Sequence, residues 1–245
     1  VSIHVANRLA DPNNGDNVVG IFIEANAPGG EWTIRLHGEK VDDGTFHAWI
    51  ERDNLSQTRF VGQAESEFTL GSLSCGRNTI VVGSYDGHEV TRPLSFFSAS
   101  GPTRDGRQKP DICAPGHDVL AARSGTRSGV TSKKGTSMAA PAVAGAVALL
   151  LAEAARGNRA LSSEEIRDIL IGTAVPMTNG AVPWDPPSGF GRLSVGAALR
   201  RLLGEGDASG LTVLPGTPVP PIEMADPAAT GPEPDEASVV DPPGA

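Results

Sequence analysis

The stretch from Gly135 to Ala152 constrains this chain more than any other. It opens Gly-Thr-Ser-Met-Ala-Ala-Pro and runs on through Val143, Ala144, Val147, Leu149, Leu150 and Leu151, small or apolar on every face. A helix of that kind has no polar side to give to water, so it is expected to pass through the middle of a core. The apolar run from Met138 to Ala152 is shorter than the roughly 20 residues that cross a bilayer, which favours a buried helix over a membrane span. Pro141 is expected in the first helical turn, where its missing N–H has no intrahelical partner to lose.

What such a helix packs against is written upstream of it. Thr79-Ile80-Val81-Val82-Gly83-Ser84-Tyr85 is a short, β-branched apolar run, the pattern of a strand covered on both faces in a parallel sheet. Turn-rich passages follow, Ser98 to Gly106 and Lys109-Pro110-Asp111-Ile112-Cys113-Ala114-Pro115-Gly116. A second helix is announced by Ser162 and Glu165 at capping-box spacing and continues through Ile166, Ile169 and Leu170. A third is expected from about Ser194 to Leu203, closed by Gly204. Residues 68–204 therefore read as an α/β domain.

The flanks read differently. Over residues 1–67, Ile21 and Ile23 alternate, as do Trp32, Ile34 and Leu36, and Phe46, Ala48 and Ile50. Period-two runs between turn clusters such as Asp11-Pro12-Asn13-Asn14-Gly15 predict a small antiparallel, sandwich-like β module. Residues 205–245 hold nine of the 20 prolines, eight acidic residues and no Lys or Arg, which reads as a disordered tail or linker. That tail accounts for most of the net charge of −9, leaving 21 acids against 20 bases in the body. The bases are scattered, with Lys133-Lys134 the adjacent pair of note, so no nucleic-acid footprint is expected. Cys75 and Cys113 lack metal-site spacing and read as free thiols, with a single disulfide left open. The start at Val1, with no Met or signal-like run, is read as a start inside a longer chain.

Ser137 carries the chemistry. A serine hydroxyl is a weak nucleophile until a base takes its proton, and the oxyanion it generates needs preorganised donors. At a helix N-terminus Ser137 would offer a free backbone N–H in the positive end of the dipole. Gly135, without a Cβ, would let a substrate backbone come close. A bare Gly-Thr-Ser before a helix is also the signature of an ordinary N-cap.

The wider context separates these readings. Phe97-Ser98-Ala99-Ser100-Gly101-Pro102, Lys109 to Gly116, and Gly135-Thr136-Ser137-Met138-Ala139-Ala140-Pro141 with Ala144-Gly145 match the subtilases in order and spacing. Ser188-Gly189-Phe190-Gly191-Arg192-Leu193 resembles that family's closing segment before its last helix. Residues 68–204 thus resemble the C-terminal part of a subtilisin-like serine peptidase domain, and residues 1–67 a β module that some larger subtilases insert ahead of it. The resemblance implies an Asp/His/Ser triad with Ser137 as the nucleophile acting on a polypeptide. It implies the Ser137 N–H as an oxyanion donor, Thr136 in support and Met138 as an oxidation-sensitive neighbour. It also implies a secreted or cell-envelope location, and it leaves structural calcium open, with the Asp11–Asp16 loop as a weak place for it.

The family's Asp and His motifs are missing from this sequence. His4, His37, His47, His88 and His117 read as surface or structural residues, and Asn7 after Val5-Ala6 is a superficial echo of the oxyanion Asn. The base, its orienting acid and the side-chain oxyanion donor are expected from the upstream half of the same protease domain, so the chain alone is expected to be nearly inactive. Other hydrolase patterns fit less well: there is no Gly-x-Ser-x-Gly elbow at Ser137 and no Ser-x-x-Lys pair. Sedolisins share Gly-Thr-Ser, but the Met-Ala-Ala-Pro continuation favours subtilases. The alternative of another class is an inactive homologue or subunit that binds a partner.

Overall fold

The computed structural model describes residues 1–24, 26–41, 43–51, 57–62, 64–177 and 183–204. The tail assigned to 205–245 lies outside them. Two compact units are present, Val1–Ala48 and one that begins at Trp49.

In the first unit, β1 (Ile3–Arg8) pairs antiparallel with β2 (Val18–Ile23), Ile3 opposite Ile23 and Arg8 opposite Val18. The connection is set by Asp11, whose carboxylate accepts from the Asn13 amide at 2.9 Å and from Arg8 at 2.8 Å. The alternating runs at Trp32–Leu36 and Phe46–Ile50 form no strand among the described residues, and their large apolar side chains are exposed. A strand needs a neighbour to complete its ladder and a surface to cover its apolar face, and the described residues supply neither at these two runs.

The second unit is built around β3 (Val82–Tyr85) and β4 (Ile112–Pro115), which pair in parallel with Val82 opposite Ile112 and Tyr85 opposite Pro115. The strand expected from Thr79 starts three residues later. The Val81 N–H is drawn instead to the Asp111 carboxylate, at 2.7 Å. On the other edge of β4, the Cys113 amide donates to the Gly191 carbonyl and Leu193 donates back to Cys113, both at 2.8 Å. The segment singled out as Ser188–Leu193 therefore lines the sheet. After β4 an antiparallel hairpin, β5 (Val119–Ala122) and β6 (Val130–Lys133), leads into α1 (Thr136–Arg156).

α1 lays one stripe on the sheet: Ala139, Val143, Ala146, Leu150 and Ala154, spaced by three or four residues, are buried. Ile112 and Ala114 of β4 meet it, together with Ile166, Ile169 and Leu170 of α2 (Ser163–Gly172) and Ala198 of α3 (Val195–Leu203). Burying Leu150, Leu170 and Ile112 completely is worth about 1.5–3 kcal/mol each. The sheet present does not enclose α1 on all sides, and Leu149 and Leu151 stand exposed on its other faces. At 21 residues α1 is also long and apolar enough to cross a bilayer, which the shorter apolar run had argued against. Its buried stripe is spent on the sheet and on α3. Pro141 is the sixth helical residue and falls in the second turn, so the Ser137 carbonyl lacks the amide donor that position would have supplied.

The other helix signals hold. The Ser162 hydroxyl accepts from the Glu165 amide at 3.1 Å, and the Glu165 carboxylate accepts from the Ser162 amide at 2.9 Å. Gly204 closes α3 in the left-handed region at φ 73°.

Candidate active site

Gly135 is the residue that turns the chain from the β6 hairpin into α1. It adopts φ +152°, which side-chain-bearing residues rarely take. Its amide donates to the Gly116 carbonyl at 2.8 Å, and its own carbonyl accepts from the Met138 amide at 3.0 Å. Gly116 in turn donates to the Tyr85 carbonyl at 3.2 Å. The turn is thus fastened to the C-terminal ends of β4 and β3. A Cβ at Gly116 would collide with the Ser84 hydroxyl and lie 2.7 Å from the Gly135 carbonyl, so glycine there permits the contact.

Thr136 and Ser137 follow as the first two residues of α1. Their amides have no acceptor within the helix, and they sit at its positive end. Ser137 is exposed, whereas Gly135, Thr136 and Met138 are half-buried around it. Two further serines brace the sheet beneath: Ser98 Oγ accepts from the Ser84 amide at 2.9 Å, and the Ser84 and Ser95 hydroxyls are 2.8 Å apart.

No side chain among the described residues hydrogen-bonds to Ser137. His88 Nε2 is 3.2 Å from the Asp118 carbonyl. His117 stacks on Phe97, with centroids 5.8 Å apart and planes at 21°, and its Nδ1 is buried without a hydrogen-bond partner among the described residues. In the other unit His4 pairs with Glu24 at 3.2 Å, and Asn7 stands in β1 opposite Val19. In the Asp11–Asp16 loop, the weak place left for calcium, the Asp11 carboxylate is engaged by Arg8 and Asn13. Hydrogen bonds from Asn13 and Arg8 hold that carboxyl below its usual range. No cluster of three metal-ligating side chains occurs among the described residues.

Asp111, fully buried at the entrance of β4, accepts from Lys109 Nζ at 2.7 Å and from Arg167 of α2 at 2.6 Å. Lys109 Nζ also donates to the Thr79 carbonyl at 2.6 Å. This ion cluster locks α2 to the sheet. The sequence signal was a charged pair, Lys109 and Asp111, set directly before an apolar run.

Residues 50–206 match the subtilase family, peptidase S8. This chain belongs to that family. It is 38% identical over 109 residues to bacillopeptidase F of Bacillus subtilis, covering 44% of this chain and 7% of that protein. Against the serine protease AprX of the same organism it is 31% identical over 147 residues, covering 53% of this chain and 31% of the relative. Among solved structures, the CspB protease of Clostridium perfringens superposes with a TM-score of 0.53 at 33% identity, over 58% of this chain and 30% of that one. The subtilase chain described here therefore spans less than a third of each of these relatives. Its α/β fold, with a parallel β3–β4 pair backed by helices, is that of a subtilisin-like domain.

Proposed function

We propose that this subtilase is the nucleophile-bearing part of a serine endopeptidase, with Ser137 forming the acyl-enzyme. The Ser137 Oγ would attack the scissile carbonyl, the amine half of the polypeptide would leave with a proton, and water would release the acyl group. The observation that carries this reading is the presentation of Ser137. It is exposed on the first turn of α1, beside two helix-terminal amides, on a glycine turn bonded to the sheet at 2.8 Å. The Ser137 amide serves as one oxyanion donor, Thr136 supports it, and Gly135 leaves room for the substrate backbone.

The base and its orienting acid belong, in this reading, to the upstream half of the same protease domain. An open apolar groove supports that division: Ile80 and Val82 beside Ala140, Val143, Ala144 and Val147 of α1. Further sheet laid there would enclose α1 as its sequence demands. Without the base, the remaining site retains roughly 10³–10⁴-fold acceleration over water at most. A secreted or cell-envelope location accompanies the reading on family membership alone.

A second reading, an inactive homologue acting as a binding module, draws on the absence of any histidine bonded to Ser137 among the described residues. A fluorophosphonate probe on the full-length protein separates the two. Labelling that disappears in Ser137→Ala supports the nucleophile, whereas a folded wild type that takes no label sinks it.

A further inference from the structure

The turn that presents Ser137 is flanked by a cluster that the proposed chemistry does not use. Lys134, directly before Gly135, places its ammonium 5.7 Å from the centre of the Phe96 ring. Phe96 is 82% exposed and meets Phe97 edge-on at 5.2 Å, and Phe97 stacks on His117. His117 follows Gly116, the acceptor of the Gly135 amide, so both ends of the cluster are anchored to the backbone of the Ser137 turn.

Its charge is one-sided. Residues 119–134, the β5–β6 hairpin and its exit, contain Arg123, Arg127, Lys133 and Lys134 and no acidic residue. None of these four has a carboxylate partner among the described residues. The acid in contact with the cluster is Asp118, whose carboxylate is 3.8 Å from His117 Nε2, on an imidazole that also meets Phe96 edge-on at 6.4 Å. An exposed ring is costly to leave in water, and the exposed ammonium held over it has no carboxylate partner among the described residues.

We propose that Lys134 and Phe96 form a recognition site for an acidic side chain of the polypeptide substrate, glutamate above all, within a few residues of the bond that Ser137 attacks. The inference rests on Ser137 being the reacting residue. Glutamate matches both halves of the site: its methylenes cover the Phe96 face and its carboxylate meets Lys134 Nζ. Lys134 stands three positions before Ser137 on the same turn, and an extended peptide rises about 3.3 Å per residue, so the acidic side chain is assigned one to three residues from the scissile bond. Lysine at the same substrate position would meet the basic hairpin and be repelled.

The test uses the full-length protein and peptides of one sequence carrying Glu, Gln or Lys at each position around the cleaved bond. Binding of uncleaved peptides to the Ser137→Ala protein, by fluorescence anisotropy, is measured beside cleavage by the wild type. The expected result is tighter binding of Glu than Gln peptides, by about two- to fivefold at low salt, and weaker binding of Lys peptides. That advantage should shrink at about 0.5 M salt, vanish in Lys134→Gln and invert in Lys134→Glu. Equal binding of Glu and Gln peptides, or a preference that survives Lys134→Gln, overturns the proposal. The binding arm reads the cluster whether or not Ser137 takes a fluorophosphonate, so a failure of the nucleophile reading is distinguished from a failure of this one.

Discussion

The Gly135 amide and the Gly116 carbonyl, 2.8 Å apart, join the turn that carries Ser137 to the end of β4. The bond exists only because Gly116 has no side chain, since a Cβ there would strike the Ser84 hydroxyl and crowd the Gly135 carbonyl. Gly116→Ala is therefore expected to lower stability by about 1–3 kcal/mol through overpacking and to displace Ser137, cutting its fluorophosphonate labelling. Gly196→Ala is the control: it lies in α3, where an added methyl would meet only the end of the Arg200 side chain at 3.6 Å. Alanine should leave labelling intact there and stabilise the helix by up to about 1 kcal/mol. Equal effects of the two variants in urea denaturation and labelling would contradict the clamp.

The Lys109–Asp111–Arg167 cluster yields a second expectation. Lys109 and Asp111 are almost fully buried, whereas the Arg167 side chain is 31% exposed. Removing the central carboxylate strands a buried ammonium, so Asp111→Ala should cost about 3–5 kcal/mol. Arg167→Ala should cost less, because Asp111 keeps Lys109 and the Val81 amide. Replacing Lys109 and Asp111 together by Met and Leu should recover part of the Asp111→Ala loss. Urea denaturation of the four proteins measures the order, and a double variant no better than Asp111→Ala would show that packing, not charge, dominates.

Local signals were the ones legible in the sequence. The capping box of Ser162 and Glu165 joins residues three apart, and the Gly204 stop needs only its own φ, so both could be read directly. The entry of the chain into α1 at Gly135 and Thr136 was legible because the motif is contiguous. Contacts distant in sequence were not: Arg167 reaches Asp111 across 56 residues, and Gly116 meets Gly135 across a hairpin. The alternation at Trp32–Leu36 misled because period two reports a face seeking burial, and no partner strand receives it among the described residues. The apolar faces of α1 call for a full enclosure, while the sheet present covers one stripe.

Cys113 is expected to be chemically silent. Burial, reinforced by the Asp185 charge, pushes its thiol up to about 12 from an ordinary 9.0. A thiol-specific reagent at about pH 8 should modify half-buried Cys75 and spare Cys113 until the protein unfolds. Because the folded-state value is raised, the thiol's contribution to stability is fully present below pH 9.0 and is lost as the pH climbs toward 12. Rapid labelling of Cys113 in folded protein, read by peptide mass mapping, would refute this.

The cap of α2 gives a prediction with a pH signature. Glu165 is held below its ordinary 4.5 chiefly by the Ser162 amide, with Arg159 assisting at 2.9 Å. A depressed carboxylate stabilises the fold above its ordinary value, and that contribution is lost as pH falls through the folded-state value. Ser162→Ala removes the other half of the box and should cost about 1 kcal/mol at neutral pH. Glu165→Gln keeps an acceptor for the Ser162 amide but has no charge to titrate, so its loss relative to wild type should be evident at pH 7 and fade in acid. Thermal melts of wild type, Ser162→Ala and Glu165→Gln between about pH 3 and pH 7 test the sign. A Glu165→Gln deficit that grew on acidification would mean that the carboxylate acts through something other than its charge at the helix start.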